Sequence, residues 1–316
     1  MTIEVRPATI ADHATFAAVV NEVTPEYPTS VEELAWQDAT YPGGIRFIAS
    51  LDGTVAGCGH VGRIYMYQPD FDAYWADIAV RPDARRRGVG AALYAAVSDA
   101  ARDAGKTHLH IAASEARPDA IAFLAHRGFV EYDRWKVLEL DLTSLAGVPT
   151  ADPPPGVEIT SLEARPDMID GVYRVALASF RDIPTGGEPL DPGSLEEFRA
   201  RDVDRAGIPH GGFLIALEAS TGEAIGYASL MFPAGVTTRA FHDMTAVLPA
   251  WRGRGVGRAL KRATIAWAQA AGLQSLETGN EERNARMRAL NESLGYRERP
   301  NEITFRGPLA GARIPA

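Results

Sequence analysis

Two short stretches carry residue types that bind diphosphates: Arg85-Arg86-Arg87-Gly88-Val89-Gly90 and Arg252-Gly253-Arg254-Gly255-Val256-Gly257. Each follows a strand-like run ending at Val80 or Val247 and opens a run with helical spacing. The first N–H groups of a helix have no partner within it, and the helix dipole adds partial positive charge there. Glycine removes the side chain that would hold an anion away from the backbone. Arg85, Arg86 and Arg87, or Arg252 and Arg254, add cationic charge around the same turn. The pattern is a pyrophosphate cradle. It is not a P-loop, because no Gly-Lys-Ser/Thr closes it. Nor is it a dinucleotide-binding turn, which needs an N-terminal βαβ start, three spaced glycines and an acidic residue about 20 positions on.

The hexapeptides belong to a longer repeat. A constant offset of 167 positions carries Ala79-Val80 to Ala246-Val247, Arg85 to Arg252, Gly88 to Gly255 and Gly90 to Gly257. It also carries Ala104-Gly105 to Ala271-Gly272 and Gly128-Phe129 to Gly295-Tyr296. Upstream, Ser30 with Glu33 and Ser194 with Glu197 read as capping boxes ahead of apolar-patterned helices. The reading is two domains, 1–143 and 157–316, joined by a stiff segment 144–156 that holds Pro153-Pro154-Pro155.

Each copy reads as a strand, two helices and a hairpin (Arg46–Ser50 with Val55–Gly62; Gly212–Glu218 with Ala224–Met231). The strand ending at Val80 or Val247 follows, then the hexapeptide and its helix. A strand (Thr107–Ala113; Leu273–Thr278), another helix and a final strand complete the unit. Val89, Leu93, Ala96 and Ala100, and Val256, Leu260, Ala263 and Trp267, give the central helix one apolar face. His108 and His110 alternate with apolar neighbours and are expected on the solvent side of their strand, not as metal ligands.

Of 316 residues, 46% are apolar and 23% charged, as in a globular domain pair. A single cysteine, Cys58, excludes a disulfide within the chain and a cysteine-rich metal cage, and suits a reducing cytoplasm. The polar start has no signal-peptide pattern, and no apolar run reaches the ~18 residues that span a bilayer. A net charge of −9 argues against a nucleic-acid or anionic-membrane binder.

Val-x-Pro-x-x-Arg-x-x-Gly-x-Gly after a strand, with Arg-Gly-Phe or Leu-Gly-Tyr about 40 residues later, resembles the GCN5-related N-acetyltransferases. Both halves carry it, as in the tandem two-domain type of actinobacteria. The resemblance implies an α/β fold in each half: a curved mixed sheet of six or seven strands flanked by helices. It implies acetyl-CoA as cosubstrate, with no metal. The pantetheine arm would lie in a V-shaped split between the fourth and fifth strands, Asp77–Val80 and Thr107–Ala113 or Met244–Val247 and Leu273–Thr278. Its binding residues would be Ala246, Val247, Arg252, Gly253, Arg254, Gly255, Val256, Gly257 and Asn284. In the first half they would be Val80, Arg85, Arg87, Gly88 and Gly90. Transfer would be direct, so Cys58 is not needed as a nucleophile.

Transfer to an amine needs a base, a polarised carbonyl and a leaving thiol. Asp243, Glu277 and His242 are the candidate bases in the second half, and Asp77 and Glu115 in the first. Each is also an ordinary strand or loop polar residue. Asn284 fits either a pantetheine contact or a helix N-cap. Where relatives carry a tyrosine that protonates the thiol, this chain has Leu124 and Asn291; Asn291 is a candidate hydrogen-bond donor or a packing residue. The connection Phe180–Pro189 is expected to shape the acceptor site. The expected activity is acetyl transfer from acetyl-CoA to a primary amine of a small molecule. The second half would be catalytic, the first a related domain that binds CoA without turnover, and the chain a monomer or homodimer. The alternatives are a non-catalytic acyl-CoA sensor and a protein N-acetyltransferase.

Overall fold

The structure is a computed structural model that describes residues 1–185 and 190–311. The chain forms two compact units. The first begins with β1 (Ile3–Pro7), α1 (His13–Val23), α2 (Val31–Thr40), β2 (Ile45–Leu51), β3 (Thr54–Arg63) and β4 (Ala73–Val80). It continues with α3 (Val89–Asp103), β5 (His108–Ser114), α4 (Pro118–Ala125) and the start of β6 (Val130–Asp141). The second contains β7 (Val157–Ser161), α5 (Ile169–Phe180), α6 (Leu195–Asp202), β8 (Leu214–Glu218), β9 (Ala224–Met231) and β10 (Arg239–Val247). After these come α7 (Val256–Ala270), β11 (Ser275–Glu281), α8 (Ala285–Ser293) and β12 (Arg297–Glu298). The last strand is β13 (Glu302–Pro308).

The units are not the sequence halves 1–143 and 157–316. The chain leaves the first unit after Arg134 and returns to it at Asn301. The sheet of the first unit runs β1-β2-β3-β4-β5-β13, with β13 antiparallel to β5 from Glu302↔Ser114 to Pro308↔His108. In the second unit β6 fills that place, antiparallel to β11 from Ser275↔Asp141 to Glu281↔Trp135. β10, β9, β8 and β7 follow in order, and β12 pairs the other edge of β6. Each half thus lends the other its closing strand.

Period-two alternation makes the exchange work. Ile303 and Phe305 of β13 enter the core of α3 with Leu93, Val97 and Leu109. Leu138 and Leu140 of β6 enter the core of α7 with Ile265, Leu276 and Tyr296. Polar contacts fix β13 as well. Arg306 makes a two-pronged ion pair with Asp72 (2.6 and 2.8 Å), and Tyr94 Oη donates to the Pro308 carbonyl (2.6 Å). His110, expected at the solvent, is 1% exposed. It meets Phe71 edge to face and Tyr132 at a tilt, beside Arg306, and burial pushes its pKa down to about 4, so it is a neutral core residue. The incoming strand covers the face that a sheet edge would have left open.

Local signals hold with small shifts. Ser194 and Glu197 form the reciprocal capping box. Ser30 caps α2 by accepting from Glu33 N–H (3.1 Å), while the Glu33 carboxylate accepts from Gln37. Among the described residues no helix is long and apolar enough to cross a membrane.

Gly307 lies so close under Phe129 that a Cβ would stand 2.2 Å from its ring. Gly307→Ala should destabilise the protein by about 1–3 kcal/mol through overpacking. Gly147→Ala, whose Cβ meets nothing within 4 Å, should stay within about 0.5 kcal/mol of wild type. Urea unfolding of both variants checks this.

Candidate functional site

Each cradle is set by a left-handed glycine. Gly88 (φ 89°) caps α3 and Gly255 (φ 93°) caps α7, and neither cap offers a side chain to the first N–H groups. A residue with a Cβ resists this conformation by roughly 1–2 kcal/mol. The third conformational position is shared too: Gly253 has φ 76°, and its counterpart Arg86 is held at φ 60°. Gly90 and Gly257 keep the first helical turn slim. Phe123 stands 3.1 Å from where a Cβ on Gly90 would lie, and Val247 3.7 Å from that on Gly257.

The leading arginines brace this turn. Arg85 Nε and Arg252 Nε donate to the carbonyls of Val80 and Val247 (3.3 and 2.9 Å). Their outer nitrogens pair with Asp119 (3.3 Å) and Asp182 (2.6 Å). Arg87 lies 3.7 Å from Asp52, and the Arg254 guanidinium sits 5.0 Å from the Trp251 ring centroid. Asp182 belongs to the connection expected to shape the acceptor site; Gly186, Gly187, Glu188 and Pro189 of that connection lie outside the described residues.

Both units contain the split. β4 pairs with β5 only over Ala73–Trp75 and His108–His110, and β10 with β11 only over Arg239–Phe241 and Ser275–Glu277. Beyond those three pairs the parallel strands part, so the inner edges of Asp77–Val80 and Met244–Val247 have no ladder partner across the gap. Ala246 and Val247 are on this open edge; their other neighbours are Tyr227 and Gly226 of β9. Glu277 pairs with Phe241 inside the closed part of the ladder, below the split.

The two splits differ in their linings. β4 pairs regularly with β3, His60 facing Asp77. β10 carries a bulge against β9, so that Asp243 and Met244 together oppose Ser229. The bulge frees the Met244 N–H from the ladder, and Ser229 Oγ accepts it (3.3 Å). Three buried polar atoms of this region lack partners: His242 Nε2 and Thr245 Oγ1 on β10, and Asn291 Oδ1 on α8. Asn291 is fully buried and its Nδ2 donates to Asn280 of β11 (2.6 Å). Turning both amides over keeps that contact and presents an N–H in place of the oxygen. At the matching positions the first unit has Ala76, Ile78, Ala113 and Leu124. Each orphaned atom costs roughly 1–3 kcal/mol.

Asp243 combines solvent access with an electrostatic setting typical of the interior. It is exposed, yet burial and the nearby Asp202 carboxylate push its pKa up to about 6, against the pull of Arg205 and Arg201. Water reaches the carboxylate, while Asp202, Arg201 and Arg205 lie close enough to act on it. Asp202, at the end of α6, is paired with Arg201 (2.5 Å). Tyr227 of β9 feels both carboxylates, which, after burial, push its hydroxyl pKa up. Asp202, Tyr227 and Ser229 were not singled out by motif reasoning; the β9–β10 register brings Tyr227 and Ser229 towards Asp243, and Asp202 reaches it from the end of α6.

The other expected site residues have plainer surroundings. Asn284 caps α8, accepting from Met287 N–H (3.3 Å). Glu115 is tied to Arg134 and Asn301 (both 2.7 Å), which lower its pKa. Asp77 accepts from Trp75 Nε1 (3.1 Å), with His60 3.6 Å away. Cys58 is buried and its thiol is pushed up to about 12 by burial, which leaves no thiolate for nucleophilic work. His242 is buried and held well below its usual pKa, so it is neutral. Among the described residues no three His, Cys, Asp or Glu side chains are grouped to hold a metal ion.

The model of the acetyltransferase (GNAT) family matches residues 13–129 and again 173–296. The chain belongs to that family. It is an N-acetyltransferase in tandem form. Mycothiol acetyltransferase of Nocardiopsis dassonvillei is 26% identical over 86% of this chain and 85% of its own. That of Frankia casuarinae is 28% identical over 92% of this chain and 81% of its own. A tandem GNAT protein from the clavulanic acid biosynthesis pathway shares the fold across 99% of this chain and all of its own, with a TM-score of 0.77 at 21% identity.

The raised pKa of Asp243 has a stability signature. Its folded pKa exceeds its unfolded value of 3.8, so the native state binds more protons between the two and loses stability as pH rises to about 6. Asp243→Asn should therefore raise Tm above pH 6, and the gain should vanish below about pH 4. Thermal melts across that range check the sign.

Proposed function

We propose that this N-acetyltransferase moves an acetyl group from acetyl-CoA directly to a primary amine of a small molecule, and that the second unit does so. The observation that carries the reading is the polar, unsatisfied lining of the β10–β11 split, set against the apolar lining of its twin. The relatives that span most of the chain are named mycothiol acetyltransferases, which favours a small acceptor over a protein.

Acetyl-CoA, when bound, supplies an acyl group activated as a thioester, with a thiol of reference pKa ~8.5 to leave. Gly255 and the free N–H groups opening α7 hold the diphosphate. The open edge of Ala246 and Val247 supplies main-chain partners for the pantetheine amides. Asp243 takes the ammonium proton: with a pKa of about 6 it is ionised at neutral pH, yet basic enough to hold a proton in passing. Asn291 and Asn280 offer an amide to the sulfur end of the split.

The first unit keeps the cradle but lines its split with Ala76, Ile78, Ala113 and Leu124. It fits a domain that binds acyl-CoA without turnover.

The test is release of CoA thiol with a panel of diamines, aminosugars and amino acids. Asp243→Asn should lower kcat by about 100-fold or more. Asn291→Ala should lower it roughly 10-fold, as expected for one hydrogen bond to a charged group. Gly255→Val should remove acetyl-CoA binding by the second unit, seen by calorimetry. Arg252→Ala should reduce turnover more than Arg85→Ala. Binding without thiol release for every amine would replace this reading with that of a sensor.

A further inference from the structure

The second unit buries a polar cluster that the chemistry above does not use. His242 of β10, Lys261 of α7 and Tyr296, just after α8, are each at most 1% exposed. His242 Nδ1 and Tyr296 Oη are hydrogen-bonded at 3.0 Å. Lys261 Nζ lies over the Tyr296 ring, 5.5 Å from its centroid. Thr278 Oγ1 of β11 donates to the His242 carbonyl (2.9 Å), pinning the same residue across the foot of the split. Either His242 tautomer leaves Nε2 without a partner.

The repeat supplies an internal comparison. Tyr94 and Phe129 stand where Lys261 and Tyr296 do, at the same offset of 167. Val61 and Leu230 are equivalent in β3 and β9, so their cross-strand partners Ala76 and His242 are equivalent too. The same fold is therefore built in the first unit with alanine, tyrosine and phenylalanine. There the two rings meet edge to face, with centroids 5.9 Å apart. Packing does not require a histidine and a lysine here. Buried polar groups of this kind cost stability unless they serve something else.

What they adjoin is the bulge. His242 is the last residue in register with β9 before Asp243 and Met244. Its ring is held by Tyr296, its carbonyl by Thr278 and its backbone by Leu230. The next residue carries the base. We infer that His242, Tyr296 and Lys261 are positioning residues that fix the β10 bulge and so aim Asp243 at the reacting amine; this rests on the reading of Asp243 as the base.

Lys261 is an uncharged amine in this cluster once the pH is above about 7. Burial lowers its pKa to about 7, and among the described residues no carboxylate pairs with it. The groups facing it are His242 and Tyr296. Protonation puts a bare charge beneath the strand that carries the bulge. The groups around Asp243 are Asp202, Arg201, Arg205 and Tyr227. The acid limb of kcat in the wild type is then set near pH 7 by Lys261, above the value of about 6 for Asp243.

The experiment compares wild type, Tyr296→Phe and Lys261→Met in the full-length protein. Tyr296→Phe keeps the ring, as Phe129 does in the first unit, and removes only the hydroxyl. It should lower kcat by about 3- to 10-fold, with KM for acetyl-CoA within twofold. Lys261→Met should move the acid limb of kcat from about 7 to about 6. Amide hydrogen exchange reads the same inference without turnover: Asp243–Thr245 should exchange at least roughly 10-fold faster in Tyr296→Phe, with Leu214–Glu218 unchanged. Unchanged kcat in Tyr296→Phe, an unmoved limb in Lys261→Met, or unchanged exchange at Asp243–Thr245 each overturns it. If the wild type releases no CoA thiol with any amine, the proposed function fails, and exchange alone decides whether the cluster holds the bulge.

Discussion

Two parallel strands that stay hydrogen-bonded for three residues and then part are the constraint on which the site depends. A parallel ladder normally runs on until one strand ends. Here β10 and β11 separate in mid-strand, and every backbone group beyond Phe241 on that side needs another partner. The bulge at Asp243 and Met244 belongs to the same divergence. Such irregularities bend a strand and re-aim its side chains. Ser229 satisfies one N–H freed by the bulge. The edge that remains carries backbone donors and acceptors with no ladder partner across the gap.

The duplication separates what the fold needs from what the chemistry needs. Both units keep the left-handed glycine, the arginine that braces the end of the fourth strand, and the three-pair ladder. These are requirements of the cradle and the split. The first unit even holds Arg86 in the left-handed region, where its counterpart is Gly253, at an expected cost of about 1–2 kcal/mol. The units diverge inside the split, where His242, Thr245, Asn280 and Asn291 face Ala76, Ile78, Ala113 and Leu124 as counterparts. Packing is satisfied by either set, so the fold alone does not call for the polar one.

Local signals made much of this legible in the sequence. Glycine spacing marked Gly88 and Gly255, and apolar periodicity marked α3 and α7. The single offset placed Leu124 opposite Asn291 and Phe129 opposite Tyr296. What stayed hidden depends on contacts between distant residues. Asp202 reaches Asp243 only because α6 ends over β9, and nothing near Asp202 in the chain announces it. His110 alternates like a surface residue because its cover, Arg306, arrives from almost 200 positions away. The destination of β6 and β13 was hidden by the repeat itself. Both are runs that mix apolar and polar residues, and nothing in the neighbouring sequence tells which sheet each joins.

That exchange bears on the protein's life on the ribosome. β5 is complete when Ser114 has been made, but the strand that pairs with it begins at Glu302. At translation rates of about 5–20 residues per second, the intervening chain takes roughly 10–40 s to appear. For that time the nascent first unit presents an open sheet edge, the template on which chains most readily stick to one another. A product truncated before Glu302 keeps that edge permanently bare.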